Sequence, residues 1–220
     1  MRLEEPQGLV VPPRRPCDAR AQPPQRGELA QGREALRELL ALDAPGTPAE
    51  DRSFAHLMAG NLAWASGDAD EACAEYDRAR GFLDARAHAN ACLWAHLRRA
   101  RAHDAAGRRA EAAADAVEAE RFAMQVNAAA AAHLARVLGA ALRGDCPPAL
   151  LAEREAVAAR LSPLEAAYAD HDLARAGAGP AFRARARARL EAVASTLAGD
   201  ARRAFLEDVA FHREIVASAR

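Results

Sequence analysis

The tripeptide Ala55-His56-Leu57, with Gly67 eleven positions after its histidine, comes back twice in the chain. Ala95-His96-Leu97 leads to Gly107 and Ala132-His133-Leu134 leads to Gly144, at the same spacing. Each glycine is followed by alanine at two fixed offsets: Ala72 and Ala79, Ala112 and Ala119, Ala149 and Ala156. The glycines stand 40 and then 37 residues apart. Self-similarity at a period of roughly 20–50 residues marks a chain of stacked supersecondary units, none of which buries its apolar face alone.

The residues around the repeat predict helices. Alanine, the best helix former, supplies much of the apolar content, while Ile215 is the single isoleucine and extended β-branched runs are missing. The expected class is all-α. Leu29, Leu36, Leu39, Leu40 and Leu42 fall largely on one face of a first helix, which Pro45-Gly46-Thr47-Pro48 stops. A helix over about 49–66 then turns at Gly67-Asp68 into another over about 69–83, with Asp68 placed to cap its orphan N–H groups. That αα-hairpin (49–84) is followed by a second at 85–126 and a third at 127–161.

Beyond these, residues 162–220 diverge. Counting back from Gly179 puts Tyr168 in the histidine place, and Gly177-Ala178-Gly179-Pro180 breaks the helix opened by Ser162-Pro163. Arg183, Arg185, Arg187 and Arg189 alternate with alanine, and the segment reads as a helix with its arginines over a wide solvated arc. Asp200 is expected to cap one last helix carrying Phe205, Leu206, Val209, Ile215 and Val216. Residues 1–26 hold six of the twelve prolines and predict a disordered or loosely extended tail.

Composition removes several functions. With 30 basic and 31 acidic residues in 220, no bulk electrostatic case for a nucleic-acid partner exists. Every basic residue is arginine, so a P-loop lysine, a Schiff-base lysine and a kinase strand lysine are excluded. Cys17, Cys73, Cys92 and Cys146 show no metal-ligand spacing and read as incidental thiols of a reduced compartment. The acidic, proline-bearing start does not read as a signal peptide, and no run of about 18 apolar residues exists to span a membrane. A cytoplasmic protein is expected.

Gly60-Asn61, Gly67-Asp68, Ala72, Tyr76 and Ala79 resemble the tetratricopeptide repeat: a small residue, a glycine turn, an alanine, an aromatic and an alanine in series. Ala100, Gly107, Ala112, Ala116 and Ala119 hold the same places in the second pair, and Val137, Gly144, Ala149, Glu153 and Ala156 in the third. A second resemblance lies in Ala204-Phe205-Leu206-Glu207-Asp208-Val209 with His212 and Ile215. It is similar to the end of the C-terminal repeat regions of bacterial signalling kinases and ATPases. The resemblance implies a right-handed solenoid of αα-hairpins whose first helices line a concave groove.

Mapped onto that groove, the expected partner-binding residues are Phe54, Leu57, Asn61 and Trp64, then Trp94, Leu97, Arg101 and Asp104, then Ala131, Leu134, Leu138 and Ala141. Whether Trp64 and Trp94 belong to groove or core stays open. In the version of the family that grips acidic C-terminal peptides, Asn61 matches one required place, whereas Leu57 and Arg98 depart. His56, His96 and His133 share a repeat position where the resemblance places a buried aromatic, so packing is their expected role; a metal-binding ladder lacks an HExxH or triad pattern. Neither His103-Asp104 nor Asp170-His171-Asp172 makes a site, since helical neighbours point apart. The expectation is a non-catalytic adaptor or scaffold binding a protein partner's peptide or helix, with no cofactor or metal and no catalytic residue. The alternative is a detached regulatory or sensor region acting on a separate kinase or ATPase.

Overall fold

The computed structural model describes residues 37, 38, 40, 41 and 46–218. The tail expected over residues 1–26 lies outside the described residues, as does most of the first expected helix, of which 37, 38, 40 and 41 are helical. The remainder folds as ten α-helices, with no strand among the described residues. They are α1 (Ala49–Ser66), α2 (Ala69–Gly81), α3 (Ala89–Ala105), α4 (Arg109–Gln125), α5 (Ala129–Arg143), α6 (Pro148–Val157), α7 (Pro163–Arg175), α8 (Pro180–Ser195), α9 (Gly199–Glu207) and α10 (Ala210–Ser218).

The repeated glycines sit where the chain reverses. Gly67 has φ 86° and Gly144 φ 71°, the left-handed region that only glycine enters without steric cost, and their N–H groups return to the preceding turn. Asp68 Oδ1 accepts from the Glu71 N–H at 3.1 Å, so the expected cap is present. A capping box of Ser162 and Glu165 opens α7. Helix α3 starts at Ala89 rather than near 85, because Asp84 Oδ1 takes the N–H groups of Arg86 and Ala87 into a turn.

Successive helices pack on one another from α1 to α5; α7 then rests on α5 and α8 on α7, and α9 and α10 lie against α8. Helix α10 also touches α1. The largest apolar cluster runs through α3 to α7 and is rich in fully buried alanines such as Ala100, Ala112, Ala119, Ala132 and Ala140. Small side chains bring helices close, which requires sizes to be matched across each pair. A Cβ on Gly60 would lie 2.6 Å from Tyr76 Cδ1 and 2.9 Å from Cζ. Sixteen residues separate these two, and at the same spacing the second pair carries Ala100 and Ala116, both buried. The glycine exists to admit the tyrosine.

Two expectations are corrected. The last helix is two, α9 and α10, and Asp200 lies inside the first turn of α9 without capping it. The break at Asp208-Val209 is held by side chains: His212 Nδ1 donates to Phe205 O at 2.7 Å and Arg213 Nη1 to Glu207 O at 2.9 Å, satisfying carbonyls that end α9. Nor are the α8 arginines all solvated. Arg189 Nε donates to the buried Asp170 at 2.9 Å, with Arg185 at 3.5 Å and Arg154 on its other side, while Arg187 pairs with Glu191.

Candidate functional site

The expected groove residues separate into three groups. Leu57, Leu97, Ala131, Leu134, Leu138 and Ala141 are all buried, so they pack the interior and line no open groove. Trp94 is half-buried against the largest core cluster, and Phe54 stands exposed. Asn61 is buried too, where its Oδ1 accepts from the Tyr76 hydroxyl of α2. Only Trp64, Arg101 and Asp104 face the region where α1, α3, α7 and α10 converge, and there they are covered.

What covers them is α10. The Phe211 ring lies 5.3 Å from that of Trp64 on α1, and meets Tyr168 and His171 on α7 edge-on at 5.0 and 5.2 Å. The Arg101 guanidinium of α3 stands 5.2 Å from the same ring and 5.3 Å from Tyr168. Edge-to-face rings and a guanidinium over a ring face are favourable through the ring quadrupole. Arg101 Nη2 also donates to Asp172 at 2.8 Å, and Asp104 accepts from Nη1 and Nη2 of Arg175 at 2.6 and 3.0 Å, tying α3 to α7 twice. Burial would lower the Arg175 pKa, but Asp104 and Asp172 outweigh it and hold it above its ordinary value.

Helix α10 adds two polar contacts. His212 is fully buried between α9 and α7. Since Phe205 O can only accept, Nδ1 carries the proton, and Nε2 accepts from the Tyr168 hydroxyl at 2.7 Å. Burial pushes the His212 pKa down to about 4 against that carbonyl, so the ring is neutral at pH 7. Burial also raises the Tyr168 hydroxyl. His171 Nε2 donates to Glu214 Oε1 at 3.2 Å. This bond holds the Glu214 carboxyl below its ordinary value despite burial, with Arg175 and Arg101 contributing.

Tyr168, His171, Asp172 and Arg175, with Phe211, His212 and Glu214, are the members that the sequence reading missed. Asp170, His171 and Asp172 do point apart and meet different elements: Asp170 meets α6 and α8, His171 meets α10, and Asp172 meets α3. The signal available was Tyr168, the one residue to replace histidine at its repeat position.

The three repeat histidines are buried, and the first two are hydrogen-bonded to carboxylates of the next helix. His56 Nδ1 lies 2.7 Å from Glu75 and His96 Nδ1 2.8 Å from Asp115, both nineteen residues on. Each ring stacks on a phenylalanine twenty-six residues on, Phe82 and Phe122, at 5.5 and 5.6 Å. In the third pair Glu153 turns mainly to Arg136 and stands 3.5 Å from His133, whose pKa burial lowers. Among the described residues no three or more His, Cys, Asp or Glu side chains are arranged to hold a metal ion.

A cysteine, a histidine and a carboxylate do meet at Cys73, His103 and Asp115. His103 Nδ1 is 3.6 Å from Cys73 Sγ, and its Nε2 is 3.6 Å from Asp115. Burial raises the Cys73 thiol despite Arg108, the opposite of what an activated nucleophile needs. Burial alone would raise the Asp115 carboxyl too, but hydrogen bonds from His96 and Arg99 lower it.

Comparison with family models, characterised proteins and solved structures returned no match. No described helix is long and apolar enough to cross a membrane.

Proposed function

We propose that this chain is a non-catalytic protein–protein interaction module, an adaptor or scaffold of the bacterial cytoplasm. Its helix pairs are read as a tetratricopeptide-like right-handed solenoid, with a partner peptide or helix docking on the face shared by α1, α3 and α7. One observation carries the reading: a single nine-residue helix, α10, is gripped there by Trp64, Arg101, Tyr168 and His171 from three helices remote in sequence. A helix held in a groove by a few aromatic and arginine anchors is a recurrent recognition mode. The docking set is therefore Trp64, Arg101, Tyr168 and His171 with Asn61 beside them, and Trp94 belongs to the scaffold.

Affinity capture with matched baits tests this. A partner retained by the wild-type chain and by Trp94→Ala, but lost from Trp64→Ala at unchanged helicity by circular dichroism, is the expected result. Equal retention by Trp64→Ala, or loss only where helicity is lost, counts against the assignment.

A further inference from the structure

Helix α10 fits this face unevenly. On the apolar side the match is complete: Phe211 lies among three helices, Ile215 is fully buried, and Val209 just before α10 packs on Leu62 and Ala65 of α1. On the polar side it is not. Arg101 spends Nη2 on Asp172, while its buried Nη1 has no acceptor. Asn61, one turn before Trp64, accepts from the Tyr76 hydroxyl at 3.0 Å through Oδ1, and its buried Nδ2 has no acceptor either. A buried donor without an acceptor is costly, so at Arg101 this face is poorer in oxygen than it requires, and Asn61 holds a second unmet donor one turn from Trp64. Meanwhile the one acid that α10 brings, Glu214, leaves 53% of its side chain in solvent and reaches only His171.

The hairpin itself has little independent stability. Both α9 and α10 are nine residues long, well below the length at which an isolated helix persists in water. Only His212 and Ile215 of α10 are fully enclosed. The hairpin is helical because its neighbours hold it: α10 rests on α1, α7 and α8, and α9 on α8.

Resting on the interaction-module reading above, we propose that α9–α10 is a resident occupant, displaced when a partner α-helix docks. The partner helix presents an aromatic residue at the Phe211 place and a carboxylate three positions on, as Phe211 and Glu214 do. It also carries a further acidic or amide oxygen toward Arg101 and Asn61. Charge complementarity selects an acid: His171, Arg175 and Arg101 already favour the charged form of Glu214. The unmet donors give the partner its advantage, because a ligand displaces a resident segment only to the extent that it binds the face better. Self-occlusion keeps an aromatic, arginine-lined surface out of water until that partner arrives.

The test uses the whole chain and a fluorescently labelled peptide of residues 204–218, which carries the aromatic-and-acid spacing. Two variants loosen the resident helix: Phe211→Ala and, leaving the core untouched, Glu214→Gln. Anisotropy is expected to show the peptide binding Phe211→Ala about ten-fold tighter than wild type and Glu214→Gln a few-fold tighter. Trp64→Ala should abolish binding in both backgrounds. In the wild-type chain, which the peptide can enter only by mass action at the higher concentrations needed to outcompete the resident copy, bound peptide should raise hydrogen exchange of the α10 amides. A peptide bearing Gln in place of Glu214 should bind about ten-fold more weakly.

If the peptide binds none of the chains, including a folded Glu214→Gln, the face does not take a helix in trans and the interaction-module reading fails. If it binds wild type and both variants equally without changing α10 exchange, that reading stands and the resident-occupant proposal falls. Should the wild-type chain self-associate in sedimentation equilibrium, with the peptide dispersing the oligomer, the occupant is a second copy of this chain and the partner-helix proposal is overturned.

Discussion

At Gly60 a missing atom sets the geometry of a helix pair. Gly60→Ala forces the Tyr76 ring out of its place, and overpacking of that kind costs about 1–3 kcal/mol; the shift in urea midpoint at unchanged slope measures it. Asp172 is the opposite case, a buried charge whose partner is also buried. Asp172→Asn leaves Arg101 without its counter-charge, and breaking such a pair from one side costs about 3–5 kcal/mol. A loss under 1 kcal/mol in the same unfolding assay would mean that Arg101 re-pairs or reaches water. The run Asp170-His171-Asp172 shows why sequence proximity misleads on a helix: three adjacent polar residues serve three different interfaces, and none serves the others.

Elements are where sequence and structure agree best, and where they part. The helices α1 to α6 were legible because glycine turns, Asp68 and alanine spacing act locally, each through its own backbone. Helix α10 was legible as helix only. Its destination depends on contacts with positions more than a hundred residues away, Trp64 and Arg101, and periodicity does not encode distance. Likewise Leu134 and Leu138 satisfy a groove register and a core register equally well; burial chose the core. At this scale Ser162→Ala, which removes the cap of α7, should lower stability by about 1 kcal/mol, read from the same urea curves. In Phe211→Ala, hydrogen exchange should rise first in α9 and α10 and leave α4 and α5 protected; uniform loss of protection would contradict a separately held hairpin.

Acid should loosen the whole molecule from its α10 seam. His212 titrates near 4 when folded and near 6.5 when unfolded, so between those values the unfolded chain binds a proton that the folded chain does not. Stability is therefore full above about pH 6.5 and falls as pH drops toward 4, by about 3 kcal/mol from this residue. His133, also lowered by burial, acts in the same direction. Asp115, Glu153 and Glu214 have lowered carboxyl pKa values, so their contribution survives that window and is lost only at more acid pH. Thermal melts between pH 7.5 and 4 should show the decline, reduced in His212→Gln; an unchanged slope in that variant would remove His212 as its source.

The contact of α10 with α1 also bears on how the protein is made. A chain of helices that touch only their neighbours can condense in the order in which it is synthesised. Here the seam of Leu62, Trp64 and Ala65 waits for Val209 and Phe211, so α1 emerges from the ribosome long before the segment that covers it. During that interval Trp64 is uncovered on a nascent chain, open to a chaperone or to a neighbouring polypeptide. Synthesis alone, with no signal required, passes the molecule once through its uncovered form.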